Sequence, residues 1–174
     1  QPHHGVDISN LLFQYQQEVT KANAVILSDY GKGLLSDAQP FIAAARKHSI
    51  PVLVDPKKNN FENYSGSYLI TPNKMEFEAV VGPWSKQSEM IERAARVIEQ
   101  CDLQGLLITQ GEQGMTLLMK GQTAEHFPAH AQEVYDVTGA GDTVIATLAT
   151  GIASGKSVQD SVHLSCQAAG IVVG

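Results

Sequence analysis

Apolar positions along the chain follow two rhythms. Ile8, Leu11, Leu12, Tyr15 and Val19 recur at helical spacing and predict an amphipathic helix over about residues 7–21. "AVILS" (24–28) is instead a short unbroken apolar run, the pattern of a strand buried on both faces. "SDAQPFIAAARKHS" (36–49) returns to the helical pattern, with Ser36 or Asp37 near its N-cap. Pro40 fits there only in the first turn, where a backbone N–H has no partner to lose. "PVLVD" (51–55) and "YLIT" (68–71) read as second and third strands.

After Pro72, "NKMEFEAVVG" predicts a short helix closed by Gly82, and "SEMIERAARVIEQC" (88–101) a longer one. In that longer helix Ile91, Ala94, Ala95 and Ile98 share a face. "GLLIT" (105–109) is a fourth strand, and "MTLLM", Lys120-Gly121 and "QTAEHF" predict a hairpin. Two helices follow, one beginning near Gly141 and one at "SVQD", where Ser157 and Asp160 stand at capping-box spacing. Strands alternating with helices call for an α/β fold in which a mostly parallel sheet is covered on both faces. The pattern opens on a helix and stops at "AAGIVVG", as expected of a portion of a larger domain.

Composition narrows the functional classes. The 174 residues suffice for one well-buried domain, and an apolar fraction of 43% with 17% charged residues fits an ordinary globular protein. The formal charge is −6 and no cationic run exceeds two residues, which argues against a nucleic-acid surface. Cys101 and Cys166 form no framework and no metal-ligand spacing, so free buried thiols are expected. No apolar run approaches membrane-spanning length and "QPHHGVDISN" does not read as a leader; a cytoplasmic protein is the expectation. His3-His4 reads as a solvated segment, and His48, His126, His130 and His163 lack ligand spacing.

In an open α/β sheet, ligands bind beyond the carboxyl ends of the strands. Four loops there carry unusual residues: "DYGKG", "DPKK", "TPNKMEFE" and "TQGEQG". A fifth, "DVTGAGDT" (136–143), feeds a helix. It is no P-loop, since Asp142 stands where a Lys-Ser/Thr pair is needed, and no dinucleotide fingerprint, since Val144 occupies a small-residue position. The amides of Gly139, Ala140, Gly141 and Asp142 nevertheless lie at a helix N-terminus and form a candidate anion hole. Asp142 has a bland role open to it, as a first-turn acid complementing the helix dipole. Convergence of several polar loops on one sheet edge favours the sharper role, a carboxylate that takes a proton from an attacking hydroxyl while the amides hold a phosphoryl group.

These residues resemble the ribokinase/PfkB sugar-kinase family. "DVTGAGDT" is similar to its C-terminal signature, "NKME" (73–76) to its Asn-x-x-Glu motif and "TQGEQG" (109–114) to its nucleotide loop, in family order. The resemblance implies a three-layer ribokinase-like fold, ATP and Mg²⁺ as cofactors, and Asp142 as catalytic base. It places Asn73, Thr109, Gly111, Gly114 and Thr138 by the nucleotide, with Glu76 and, through water, Asn73 serving the metal. "LSDYGKG", "IPVLVDPKK", "LITPNKMEFEAVVG" and "AQEVYDVTGAGDTVI" are more narrowly similar to the heptose-phosphate kinase branch, the kinase portion of bifunctional kinase/adenylyltransferases of lipopolysaccharide synthesis. The implied reaction is ATP-dependent phosphorylation of the anomeric hydroxyl of D-glycero-β-D-manno-heptose 7-phosphate to the 1,7-bisphosphate. Departures from that branch are the second Lys of "DPKK" and the "QG" of "TQGEQG".

On this reading residues 1–174 are the C-terminal portion of one kinase domain, without its N-terminal sugar-binding part, its lid, or a nucleotidyltransferase domain. Alone they are expected to be weakly active or inactive, and the lid is the element through which a homo-oligomer would form. A different PfkB-type sugar kinase, or a nucleotide-binding module without turnover, stays open. Lys57, and less securely Lys32, are candidates to contact a substrate phosphate, against the default of a solvated turn lysine. Asp29 and Asp55 read as residues that stop strands or cap turns. Glu78 reads as solvated.

Overall fold

The computed structural model describes residues 8–31, 33–57, 60–129 and 140–172, excepting the side chains of residues 140, 171 and 172. Strands β1 (Val25–Ser28), β2 (Val52–Asp55), β3 (Leu69–Ile70), β4 (Gly105–Thr109), β5 (Met115–Met119) and β6 (Glu125–Phe127) form one sheet in sequential order. β1 to β4 are parallel, and β5 and β6 join antiparallel as the expected hairpin. The helices are α1 (Ile8–Glu18), α2 (Gln39–Lys47), α3 (Lys74–Val81), α4 (Gln87–Gln100), α5 (Ala140–Ala153) and α6 (Val158–Val172).

The central strands β2, β3 and β4 are largely apolar because each of their faces meets a different helical layer. Val52, Val54, Ile70, Leu106 and Ile108 join one buried cluster with residues of α1 to α4, while Leu53, Leu69 and Leu107 join a second with α5 and α6. Alternate residues along a strand point to opposite faces, so both faces must be oily. This is the three-layer α/β arrangement expected.

Two of the following local expectations, β1 burial and the α4 face, need correction, and two at helix starts are met. β1 is the margin of the described sheet, so it is not buried on both faces: Leu27 is covered, whereas Ile26 is 41% exposed. The second helix begins at Gln39 with Ala38 as N-cap, and Asp37, next to that N-cap as expected, accepts the Gln39 N–H at 3.0 Å. Pro40 does lie in its first turn. α4 buries Met90, Ala94, Val97 and Ile98, leaving Ala95 outside, because the face is centred one residue from the predicted stripe. At α6, Asp160 accepts the Ser157 hydroxyl at 2.7 Å while its own N–H donates to Ser157 Oγ at 3.0 Å. The shorter acid therefore meets the capping hydroxyl itself. α5 packs on β1, β2 and α6, and its close approach at Gly151 is to Ser161 of α6, where a Cβ would overlap the serine side chain. Cys101 and Cys166 are buried and free.

Candidate active site

The site lies where the parallel strands end. At the end of β3, Asn73 caps α3: its side chain accepts the Glu76 N–H at 2.9 Å, and Glu76 Oε2 accepts the Asn73 N–H at 2.9 Å. The Asn-x-x-Glu pair is thus a reciprocal capping box, which fixes the rotamer of both side chains and satisfies two helix-end donors. Glu76 has one oxygen left over, and Oε1 accepts from Lys57 Nζ at 2.8 Å. A parallel bridge sets Thr109 beside Asn73, with the Thr109 N–H donating to Pro72 O at 3.0 Å. The sequence-predicted nucleotide and metal loops are therefore neighbours.

Between Thr109 and β5 the loop is held by a short turn. Gln110 N donates to Gly114 O at 2.8 Å and Gly114 N to Gly111 O at 2.9 Å. Both glycines have positive φ, of 60° and 86°, a region that favours glycine. They differ in surroundings. A Cβ on Gly111 would meet open space, whereas one on Gly114 would overlap Phe127 O and Ala129 N. Gly111 is open on its Cβ side, whereas the close approach at Gly114 is to the chain's own backbone. Behind the turn, the Thr116 hydroxyl donates to Gln110 Oε1 at 2.8 Å and accepts from Gln87 Nε2 at 2.9 Å, locking a nearly buried Gln110.

Asp142 stands exposed in the first turn of α5, which begins at Ala140. Its charge acts on both Lys57 and Asp55, so α5 brings it to the end of β2. Asp55, half-buried at the end of β2, has its pKa pushed up from 3.8 to about 6. Burial is the largest cause; Lys57 opposes it, and the negative charges of Glu76 and Asp142 reinforce it. The Lys57 ammonium is in turn held protonated above its ordinary value, first by its hydrogen bond to Glu76. Asp142, Glu76, Asp55 and Lys57 form one electrostatic cluster, from helices and loops that are distant in sequence.

Asp55 is a member that the sequence reading assigned only to stopping a strand or capping a turn. Its signal was available in retrospect, as an acid at the carboxyl end of a central parallel strand. Thr138, Gly139 and Lys32 lie outside the described residues. Glu78 pairs loosely with Lys74, at 4.0 Å, and takes no part. Among the described residues, no three His, Cys, Asp or Glu side chains group so as to hold a metal by themselves. None of the described helices is long and apolar enough to cross a membrane.

The sequence matches the pfkB family carbohydrate kinase profile over residues 7–174. The chain belongs to that family. This pfkB-family chain is 50% identical over 171 residues to the bifunctional protein HldE of Aeromonas hydrophila, and 52% identical over 169 residues to that of Haemophilus influenzae. Those alignments take in 98% and 97% of the chain but only 36% of each relative, so the chain spans about a third of their length. Among solved structures, it superposes on a ribokinase of Arabidopsis thaliana complexed with ribose and ATP (TM-score 0.80, 23% identity, 92% of this chain and 52% of that one). A Thermotoga maritima ribokinase gives 0.77 at 21% identity, over 97% and 55% of the two chains. At those identities the likeness speaks for the ribokinase-like fold.

Proposed function

We propose that the pfkB-family chain carries the nucleotide and base side of an ATP-dependent sugar-phosphate kinase whose acceptor is D-glycero-β-D-manno-heptose 7-phosphate. The observation that carries this is the cluster of Asp142, Glu76, Asp55 and Lys57 at the strand ends, beside the loop that holds Thr109 and Gly111. The identity to the HldE relatives supports the choice of acceptor.

In this mechanism Asp142 faces the acceptor. Its exposed carboxylate takes the proton of the anomeric hydroxyl as that oxygen bonds to the γ-phosphorus and the bond from phosphorus to the ADP oxygen breaks. The amides at the start of α5, Ala140, Gly141 and Asp142 among those described, stabilise the phosphoryl oxygens; Gly139 completes the proposed hole. Lys57 supplies a positive charge to a phosphate, exchanging part of its bond to Glu76. Thr109, Gly111 and Gly114 border the nucleotide, Thr138 joins that side on resemblance alone, and Lys32 is a second candidate to contact the substrate phosphate.

The donor set also fits Mg²⁺. The carboxylates are hard oxygen ligands, and Mg²⁺ takes one or two of them together with waters and substrate phosphates rather than an all-protein cage. Glu76 would hold it, with Asn73 acting through water; when bound it would neutralise charge on the phosphates. A cytoplasmic setting belongs to the same proposal and rests on the two free thiols.

The decisive experiment is Asp142→Asn in the full natural polypeptide. kcat is expected to fall at least ~100-fold with nucleotide binding kept. An unchanged kcat would sink the assignment, and nucleotide binding without any turnover in the wild type would favour a binding module. Heptose 7-phosphate, fructose phosphate and ribose assayed in parallel separate the acceptors.

A further inference from the structure

Behind the cluster, a single buried side chain ties two of the site loops together. Tyr64 ends a short 3-10 turn (Phe61–Tyr64) that follows the β2 loop, and it is fully buried. Its hydroxyl donates to Asp29 Oδ2 at 2.7 Å. Asp29 is only 2% exposed and its other oxygen accepts the Gly31 N–H at 2.7 Å, which fixes the start of the loop after β1. The Asp29 N–H reaches across to Asp55 O at 3.1 Å. The phenol oxygen also accepts the backbone N–H of Lys57 through a long contact of 3.5 Å.

A ring in this place would serve the core without its hydroxyl, as Phe61 does three residues earlier. Burying a phenol and a carboxylate together is favourable only when each satisfies the other, and such paired polar groups fix a unique geometry. The phenol of this pair touches the backbone from which the Lys57 side chain reaches Glu76.

We propose that Tyr64, with Asp29, is a positioning residue of the kinase site: it sets the Lys57 ammonium against Glu76 and the incoming phosphate. The proposal rests on the reading of Lys57 as a phosphate-binding cation. Its test is a double-mutant cycle in the full natural polypeptide, reading kcat/KM with the phosphorylated sugar and ATP. Tyr64→Phe is expected to lower kcat/KM about tenfold, the scale on which loosened positioning acts. In a Lys57→Met background, the same change is expected to cost less than about twofold, since the two residues act as one unit. Asp29→Asn keeps an acceptor for Gly31 and removes the charged acceptor of the phenol, so it should repeat this non-additivity.

Effects that multiply across the cycle would overturn the proposal. So would a loss of activity in proportion to loss of folded protein, read by circular dichroism on the same samples. If Lys57→Met alone leaves kcat/KM unchanged, the phosphate role of Lys57 fails and this proposal falls with it. If Lys57→Met is costly and Tyr64→Phe is silent, only the positioning role fails.

Discussion

Asp29 and Asp55 end neighbouring parallel strands, and the backbone N–H of one bonds to the carbonyl of the other. Their side chains lead opposite lives. Asp29 is turned inward, with one oxygen on the Tyr64 hydroxyl and the other on the Gly31 amide. Asp55 is turned toward the site, where its nearest bonded partner is the Ser28 hydroxyl at 3.5 Å and its neighbours include two further carboxylates. Gly114 and Gly111 repeat the contrast in one loop, the first packed on backbone and the second open. Equivalent residue types at equivalent places are divided between packing into the fold and standing open at the strand ends. Partners decide which.

That contrast can be broken experimentally. The largest effect expected is from Gly114→Ala, which places a methyl on Phe127 and Ala129 backbone at a positive φ; a loss of about 3 kcal/mol or more in urea unfolding is expected. Gly111→Ala meets only the backbone strain and should cost about 1 kcal/mol. If both cost the same, the distinction between the two glycines fails.

Next comes Asp29→Ala, which removes the carboxylate that accepts the buried Tyr64 hydroxyl at 2.7 Å. About 2 kcal/mol of stability should be lost, whereas Asp55→Ala should lose none. Equal losses in denaturant titrations would remove the inward-versus-outward contrast.

The smallest effect carries a sign. Asp55 has a raised pKa when folded, so the folded state binds more protons than the unfolded state between pH 3.8 and about 6. Its contribution to stability therefore falls as pH rises through that window. Asp55→Asn should stabilise by about 1 kcal/mol at pH 8, allowing for solvent screening, and by nothing near pH 4. A gain that is the same at both pH values would show that desolvation of the charge is not the cause.

Much of the site was legible because its motifs are local. Asn73 and Glu76 lie one helical turn apart and cap each other, and an acid directly after a glycine loop is set by chain order alone. The chain could be read as mostly parallel with a terminal hairpin because unbroken apolar runs alternate with helical periods. Tyr64 was not legible. Its partner is 35 residues away, and nothing in "FENYSG" separates a phenol bonded to a carboxylate from one that merely fills space. Ile26 misled for a related reason, since a run such as "AVILS" states oiliness but not whether its strand lies inside or at the margin of a sheet.

By itself the sequence determined the alternation of strands and helices, the loops that carry chemistry and the family those loops belong to, because periodicity, capping and glycine placement act within a few residues. Tertiary structure decided which of those residues meet. Only packing of α5 on β1 and β2 brings the charge of Asp142 onto Asp55 and Lys57, and only strand order sets Asn73 beside Thr109. Burial and through-space charge depend on what comes near, and a one-dimensional pattern does not contain that.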